Sequence, residues 1–334
     1  MTPASDRALS IALLGGIFGA AHDERTNTPE TILAAGLRAR GHEVVTWGLG
    51  SRPPAGDYDI VHVHHLAKQS LAQALRPSAK TLVFTRHGVA DLPPSQKLAL
   101  RVVARRADAV VALSPWEATM IRSSLRPRRI EVIPNGIDPM TWAPPLAPRT
   151  APTGTDPWIV EFVGQLVPIK QVDVLIAALP LIRASRPIRL RLITHNPMFL
   201  EPLLDQARTL GVHDQIDVLG PLDATAIAEL HRSAHVLVLP SMFEALPSVI
   251  TEAMYSELPV VASAVGGIPW QGGDLITTVP PGDAAALAAA IQEVIDDYDG
   301  ARTRAAAARQ RALQTFEVDA MIESHLALYR SLVE

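Results

Sequence analysis

The sequence contains no cysteine, which excludes a disulfide framework, a thiolate nucleophile and a cysteine-ligated metal. Its longest apolar run, residues 174–182 ("VLIAALPLI"), is far shorter than the roughly 18 residues of a membrane span. The first ten residues lack the basic and then apolar layout of a signal peptide. A net charge of -4 argues against a protein that coats nucleic acid. We therefore expect a cytoplasmic protein without a nucleic-acid partner, for which membrane association is disfavoured.

The chain of 334 residues is too long for one ordinary core, which favours two domains. Strand patterns alternate with helix patterns such as "TPETILAAGLRARG", in which Thr28 is the expected N-cap. A proline-rich stretch, residues 143–157, has no periodicity and is expected to be a linker, and the same alternation restarts after it. This pattern predicts an α/β protein with two Rossmann-like, doubly wound domains facing a central cleft, residues 1–145 and 146–315.

Two acids eight positions apart, Glu244 and Glu252, interrupt the apolar stretch "PSMFEALPSVITEAM". If a helix begins near Pro247, the backbone N–H groups of Ser248 and Val249 form an anion site suited to a diphosphate. Glu252 then lies within reach of a neighbouring ribose, and Glu244 lies on the side of a transferred group. The alternative is that Glu252 only complements the helix dipole and Glu244 is a surface loop residue.

Several blocks in order resemble the GT-B glycosyltransferases of family 4, which are retaining enzymes that use nucleotide sugars. The second half carries "FVGQLVPIKQVDVLIAAL", "VLPSMFEALPSVITEAMYSELPVVASAVGGIP" and "TVPPGDAAALAAAI"; the first half carries "RARGHEV", "DYDIVHVHH", "TRHG", "ADAVVALS" and "VIPNGID". The resemblance implies that the last helix, about residues 316–334, crosses back to the N-terminal, acceptor-side domain. It also implies transfer from a nucleotide diphosphate without a metal or other cofactor.

The resemblance assigns roles to individual residues. His87, Glu244 and Lys170 are the implied catalytic residues, which position and stabilise without acting as a nucleophile. Lys170 is also implied to neutralise the diphosphate. The complete implied donor-binding set is Lys170, Gly220, Leu246, Ser248, Val249 and Glu252. Plain structural roles, such as a strand-end turn at Gly220, remain open alternatives.

The sequence departs from the family pattern at several positions. Gln165 stands where the family usually has an arginine, so Lys170 would face the diphosphate with one cation fewer. Thr194-His195-Asn196-Pro197 replaces a glycine-rich loop, and Trp270 replaces a common glutamate. The diglycine loop before the first helix is also missing, which leaves Gly16 and Arg25 as candidate phosphate- or acceptor-loop residues. The histidines His62, His64 and His65 resemble metal-ligand spacing, but on a strand only the first two share a face, and we expect no metal site.

The leading hypothesis is a retaining transfer of a sugar from a nucleotide-diphosphate donor, expected to be a UDP-sugar with GDP left open, to a small soluble acceptor with a hydroxyl group. One alternative is a glycoside hydrolase using Glu244 and Glu252, although we expect the helix dipole to lower the pKa of both acids. A nicotinamide-dependent oxidoreductase is a further alternative, but "GGIFGA" is not a complete dinucleotide fingerprint. A nucleotide-sugar-binding protein without transfer activity is the fourth reading. The acceptor, the donor sugar and the oligomeric state do not follow from the sequence.

Overall fold

A computed structural model describes residues 7–15, 28–48, 56–75, 79–86 and 93–334. The chain divides into two compact units: Met1–Ile137 together with Phe316–Glu334, and Asp138–Thr315. We call them unit 1 and unit 2. Each contains a six-stranded sheet whose described strand pairs are all parallel. Every helix in the described part of the chain is either too short or too polar to span a lipid bilayer.

Unit 1 has the strand order β2-β1-β3-β4-β5-β6. Its elements are β1 (Ser10–Gly15), α1 (Pro29–Ala39), β2 (Glu43–Gly48), β3 (Tyr58–Val63), α2 (Lys68–Leu75), β4 (Ala79–Thr85), α3 (Pro94–Arg106), β5 (Ala109–Ala112), α4 (Pro115–Leu125) and β6 (Ile130–Val132). Thr28 is the N-cap of α1, as predicted, and its backbone N–H donates to the Thr31 hydroxyl at 3.0 Å. Sequence patterning did not predict the short helix α2.

Unit 2 has the strand order β12-β11-β10-β7-β8-β9. Its elements are β7 (Trp158–Val163), α5 (Val172–Ala178), β8 (Ile188–Ile193), α6 (Leu200–Thr209), β9 (Ile216–Leu219), α7 (Ala224–Ser233), β10 (Val236–Leu239), α8 (Ser248–Tyr255), β11 (Val260–Ser263), α9 (Ile268–Gly272), β12 (Thr277–Val279), α10 (Ala284–Asp296) and α11 (Tyr298–Thr315). Short 3₁₀ turns lie at Pro168–Lys170, Leu179–Leu181, His213–Gln215 and Gly273–Leu275.

The last helix, α12 (Val318–Val333), packs into the core of unit 1. Its buried residues Ile322, Leu326 and Tyr329 join the apolar cluster that contains Leu13 and Ile60 of the central strands. Apolar side chains at intervals of three and four residues give α12 the face that this packing requires. The helix that ends the sequence is therefore part of the same unit as the strand that begins it.

The proline-rich stretch 143–157 is not a free linker, because Arg149 within it is buried. The guanidinium of Arg149 donates to four backbone carbonyls, of Arg232 (3.0 Å), Ala234 (2.6 Å), Ser256 (2.9 Å) and Glu257 (3.1 Å). The first two carbonyls end α7 and the other two end α8. The last backbone carbonyls of a helix receive no hydrogen bond from a following turn. The Arg149 side chain supplies these hydrogen bonds at the C-termini of both helices. Burial lowers the pKa of Arg149 to about 10.

Candidate functional site

The candidate donor residues lie in unit 2, beyond the carboxyl ends of its parallel strands. Lys170 ends the 3₁₀ turn that follows β7, and Glu244 lies in the loop between β10 and α8. A backbone hydrogen bond from Met242 to the Ile169 carbonyl, 2.8 Å long, ties the two segments together. Ligands of open parallel sheets bind at this end of the strands. Lys170 and Glu244, both predicted from the sequence as site residues, therefore lie side by side.

Lys170 and Glu244 form an ion pair, which sequence reasoning did not anticipate. Lys170 Nζ donates to Glu244 Oε1 at 2.5 Å, and Ser241 Oγ donates to the same oxygen at 2.7 Å. Both charged side chains keep some solvent contact, with exposed fractions of 24% and 11%. An ammonium has three N–H donors and a carboxylate has two oxygens. Within the described residues, two ammonium donors and Glu244 Oε2 make no hydrogen bond, so the pair has capacity left for a ligand.

The backbone of Glu244 is fixed by a diglycine sequence that our residue-by-residue assignment missed. Gly267 N donates to the Glu244 carbonyl at 3.1 Å. Gly266 has φ +56°, and a Cβ at that position would lie 1.7 Å from the Glu244 carbonyl oxygen. Only glycine tolerates both the left-handed backbone and this approach. The signal was present in the sequence, since "AVGG" directly follows β11.

Helix α8 begins at Ser248, and Pro247 is its N-cap residue, not a residue of its first turn. Proline has no side-chain acceptor, so its side chain does not cap the first backbone N–H groups of the helix, and no other described residue caps those of Ser248 and Val249. Gln271 Nε2 holds this end of the helix by donating to the Pro247 carbonyl at 3.0 Å and to the Thr251 hydroxyl at 2.8 Å. The free N–H groups at Ser248 and Val249 and the positive end of the helix dipole can receive an anion. Leu246, immediately before this end, is buried.

Glu252 lies one turn further along α8, and its environment differs from the sequence-based expectation. Its side chain is half-buried, and burial raises the pKa of its carboxyl from the ordinary 4.5 to about 7, with His231 acting in the opposite direction. This direction is opposite to our expectation that the helix dipole would lower the pKa of Glu252, and loss of hydration on burial is its largest cause. For Glu252, the raised pKa removes the argument that we gave against the hydrolase alternative.

A buried pair lies beneath this part of unit 2. His231 of α7 and Glu161 of β7 are fully buried, and His231 Nδ1 contacts Glu161 Oε1. Among the residues with described positions, His231 Nε2 and Glu161 Oε2 have no hydrogen-bond partner. The ring of Trp142 lies 5.4 Å from the imidazole, and the Trp142 carbonyl accepts a hydrogen bond from Ser256 Oγ at 3.0 Å. Sequence reasoning missed this pair, because neither residue lies in a motif.

Gly220 follows β9, and its glycine requirement has a structural cause. Its φ is +120°, and a Cβ there would lie 2.0 Å from the Thr194 carbonyl oxygen. Thr194 N donates to the Leu219 carbonyl at 2.9 Å, so the two strand ends are in close contact. This geometry supports the reading of Gly220 as a strand-end residue and leaves its predicted role in nucleotide binding a proposal.

In unit 1, the implied catalytic residue His87 and the loop candidates Gly16 and Arg25 lie outside the described residues. The histidines of β3 and the following residues are described. His62 and His64 are buried with ring centroids 4.1 Å apart, and His62 Nδ1 lies 2.6 Å from the Tyr329 hydroxyl. His65 instead pairs with Glu30 at 2.7 Å. Between residues 7 and 334, outside the gaps, no three His, Cys, Asp or Glu side chains are placed to hold a metal ion.

Two family models match the chain. That of the glycosyl transferases group 1 matches residues 148–311, and that of glycosyltransferase family 4 matches residues 52–140. Glycogen synthase of Mycobacterium tuberculosis (strain CDC 1551 / Oshkosh) is 32% identical over 320 residues, covering 90% of this chain and 76% of the relative. D-inositol 3-phosphate glycosyltransferase of Kribbella flavida is 29% identical over 308 residues, covering 84% and 72%.

Solved structures share the fold. Sucrose-phosphate synthase from Thermosynechococcus elongatus has a TM-score of 0.83 at 24% identity, covering 96% of this chain and 98% of that one. Anabaena Alr3699/HepE in complex with UDP and glucose has a TM-score of 0.78 at 20% identity, covering 97% and 100%. The same fold and family are indicated by the order of the parallel strands, by the two family models and by the similar proteins. The chain is a glycosyltransferase with the GT-B fold and belongs to family 4.

Proposed function

We propose that this glycosyltransferase is a retaining enzyme that moves a sugar from a nucleotide-diphosphate donor to an acceptor hydroxyl. The proposed donor is a UDP-sugar. The observation that carries the proposal is the Lys170–Glu244 pair with its remaining hydrogen-bonding capacity. A cation that still has two donors suits phosphate oxygens, and a carboxylate oxygen without a donor suits a sugar hydroxyl. The two charges neutralise each other until a donor arrives, so neither is left uncompensated in the partly buried loop.

In this proposal the phosphates bind between Lys170 and the N-terminus of α8, at the N–H groups of Ser248 and Val249. Glu252, further along the helix, accepts hydrogen bonds from the ribose hydroxyls, and Leu246 and Gly220 border the nucleoside. Glu244 Oε2 accepts from the donor sugar. With Gln165 where the family has an arginine, Lys170 is the cation that carries most of the diphosphate charge.

The reaction breaks the bond between the anomeric carbon and the diphosphate and forms a bond from that carbon to the acceptor oxygen. The acceptor proton passes to the departing phosphate oxygen on the same face of the sugar, so no protein nucleophile is needed. The departing diphosphate gains negative charge in the transition state, and a fixed ammonium lowers that barrier more than it stabilises the bound substrate. We propose that no metal is required and that His87 assists at the reaction centre. Since nucleotide sugars are cytoplasmic metabolites, the proposed site of action is the cytoplasm.

The test begins with thermal stabilisation by a panel of UDP- and GDP-sugars, followed by transfer assays in which NMR reads the anomeric configuration of the product. We expect stabilisation by a UDP-sugar, turnover that persists in EDTA, and retention of configuration. Glu252→Ala should chiefly weaken nucleotide binding, whereas Glu244→Ala should chiefly lower kcat. Inversion of configuration would contradict the retaining mechanism, and loss of activity in EDTA would contradict metal independence. Unchanged UDP affinity in Glu252→Ala would contradict the contact of Glu252 with the ribose. Release of sugar from a simple glycoside without a nucleotide would favour the hydrolase alternative.

A further inference from the structure

His231 and Glu161 are ionisable residues in the interior of unit 2, where a charge is costly unless another charge or a hydrogen bond compensates it. His231 lies in the last turn of α7. Arg149 donates to the Arg232 carbonyl in that turn and to the Ser256 carbonyl at the end of α8. The C-termini of α7 and α8 therefore lie side by side, and His231 is close to the helix that carries the proposed ribose-binding acid.

The imidazole of His231 has one nitrogen in use and one without a partner. Nδ1 contacts Glu161 Oε1, whereas Nε2 makes no hydrogen bond with any residue that the structure describes. An ionised carboxylate only accepts hydrogen bonds, so Nδ1 bears the proton of this contact. A second proton on Nε2 makes the ring an imidazolium, and a carboxylate in contact stabilises that cation by a charge-assisted hydrogen bond. The pair can therefore hold a positive charge on the imidazole in the core of unit 2.

Glu252 responds to the charge of His231. Burial raises the pKa of the Glu252 carboxyl to about 7, and among the described side chains His231 is the only one whose charge opposes this rise. A protonated carboxyl keeps one oxygen as a donor and accepts fewer hydrogen bonds than a carboxylate, so it binds two ribose hydroxyls less well. Near neutral pH, the hold on the nucleoside therefore depends on a charge that offsets the lost hydration of Glu252.

Other titratable groups in this part of unit 2 do not take over this role. They are Arg149, Arg191, Arg232, His235, Glu257 and Tyr298. Arg149 attracts Glu161, but its guanidinium hydrogen bonds all go to backbone carbonyls. Burial raises the pKa of Tyr298 to about 12 and lowers that of His235 to about 4, so both are neutral near pH 7. None of the six acts on the Glu252 carboxyl, which leaves His231 as its cation.

We propose that His231, held by Glu161, is a positioning residue of the donor site that supplies the positive charge against which Glu252 ionises to bind the nucleoside. This inference rests on the proposed function, in which Glu252 accepts hydrogen bonds from the ribose. On binding, the Glu252 carboxyl releases its proton to the solvent, and the imidazolium then faces a carboxylate. His231 itself is fully buried and acts only through Glu252, so it sets the affinity for the nucleotide and not the rate of the chemical step.

The first test measures the Kd for UDP by calorimetry from pH 6 to 9 in wild type and in Glu161→Gln/His231→Gln. Without the imidazolium, Glu252 ionises at a higher pH, so we expect the Kd of the double variant to be about 10-fold higher at pH 7 and to approach that of wild type near pH 9. A structural role alone gives the same Kd ratio at every pH. His213→Gln removes a histidine that also lies beside an acid, Asp214, and is the matched control that should behave as wild type.

A second pair of substitutions keeps the test open if the glutamine variant does not fold. Glu161→Met/His231→Phe replaces both partners by apolar side chains of similar volume, a change that leaves no unpaired buried charge. The expected Kd profile is the same as for the glutamine pair. In transfer assays with UDP-glucose at pH 7, either double variant should raise the KM for the donor about 10-fold and leave kcat within about twofold of wild type.

The second test repeats the UDP titrations in the Glu252→Gln background. Glutamine has no charge to support, so replacement of the pair should leave the Kd of this variant unchanged at every pH. A loss of affinity that persists in the Glu252→Gln background, or a Kd ratio that does not vary with pH, would overturn the inference and leave the proposed function intact. A wild type that binds no UDP-sugar would instead refute the proposed function.

Discussion

Replacement of Glu252 by glutamine should stabilise the protein at alkaline pH and weaken its hold on the nucleotide. Burial raises the pKa of this carboxyl from the ordinary 4.5 to about 7. At 1.36 kcal/mol per pKa unit, this rise corresponds to ~3 kcal/mol of disfavoured ionisation. Glutamine has nearly the same shape and no charge. Burial of the ionised Glu252 carboxylate lowers the free energy of unfolding of the wild type, and Glu252→Gln should not have this loss of stability.

The pH dependence follows from where the proton resides. Below about pH 4.5 the carboxyl is protonated in the folded and the unfolded chain, so ionisation contributes nothing to the free energy of unfolding. Between about 4.5 and 7 only the unfolded chain loses the proton, so the wild type loses stability as the pH rises. Above about pH 7 the carboxyl is ionised in the folded and the unfolded chain, and the wild type has lost the full ~3 kcal/mol of unfolding free energy. The stability difference between Glu252→Gln and wild type should thus grow from near zero at pH 4.5 to ~3 kcal/mol at pH 8.

Thermal denaturation from pH 4.5 to 8.5 in the absence of nucleotide measures this difference. For a unit of this size, ~3 kcal/mol corresponds to a Tm higher by about 6 to 12 °C at pH 8, with little change at pH 4.5. Glu257→Gln, a change to another half-buried acid of unit 2, serves as the charge-matched control. A Tm difference that is the same at both ends of the pH range would refute the reasoning, because a packing effect does not follow protonation. At pH 8 the variant should also gain less Tm from UDP than the wild type.

Three further predictions concern the same unit. Lys170→Met should raise the Kd for UDP about 10- to 100-fold by calorimetry, because the diphosphate loses its cation; an unchanged Kd would remove Lys170 from the donor site. Gly266→Ala should lower both Tm and kcat, because alanine in the left-handed backbone costs about 1 to 2 kcal/mol and its Cβ displaces the Glu244 carbonyl. A kcat for this variant equal to that of the wild type would show that the position of Glu244 is not critical. Arg149→Met should cost about 3 to 5 kcal/mol in urea denaturation, because four buried carbonyls lose their donor; a cost under 1 kcal/mol would mean that water replaces the guanidinium.

The strand and helix pattern was largely predictable from the sequence, since it depends on local periodicity. The sequence pattern of residues 247–256 predicts a helix, which is observed at Ser248–Tyr255, and the pattern of residues 283–297 predicts a helix that is observed at Ala284–Asp296. The helical pattern of the last 34 residues is interrupted near Thr315-Phe316, and this predicts the observed break between α11 and α12. Helix α2 was missed because its eight residues, "KQSLAQAL", contain only two leucines and hence a weak apolar pattern.

The failures come from contacts between residues far apart in the sequence. Nothing local distinguishes Arg149 from the exposed residues of a proline-rich linker, since its four acceptors lie 83 to 108 positions away. The pKa of Glu252 depends on how completely the packing of unit 2 removes water, which helix position alone does not determine. In the same way, the family resemblance implied separate roles for Lys170 and Glu244, and nothing in the sequence indicated the ion pair between them.

The placement of α12 affects the order in which the protein can fold during synthesis. All strands of unit 2 have been translated before the ribosome reaches Val318, whereas the first unit still lacks Ile322 and Tyr329 of its core. Domains tend to fold as they emerge, N-terminal ones first. Here part of one apolar face of the N-terminal sheet stays uncovered until α12 is made, so the unit that is translated first is the one that is completed last.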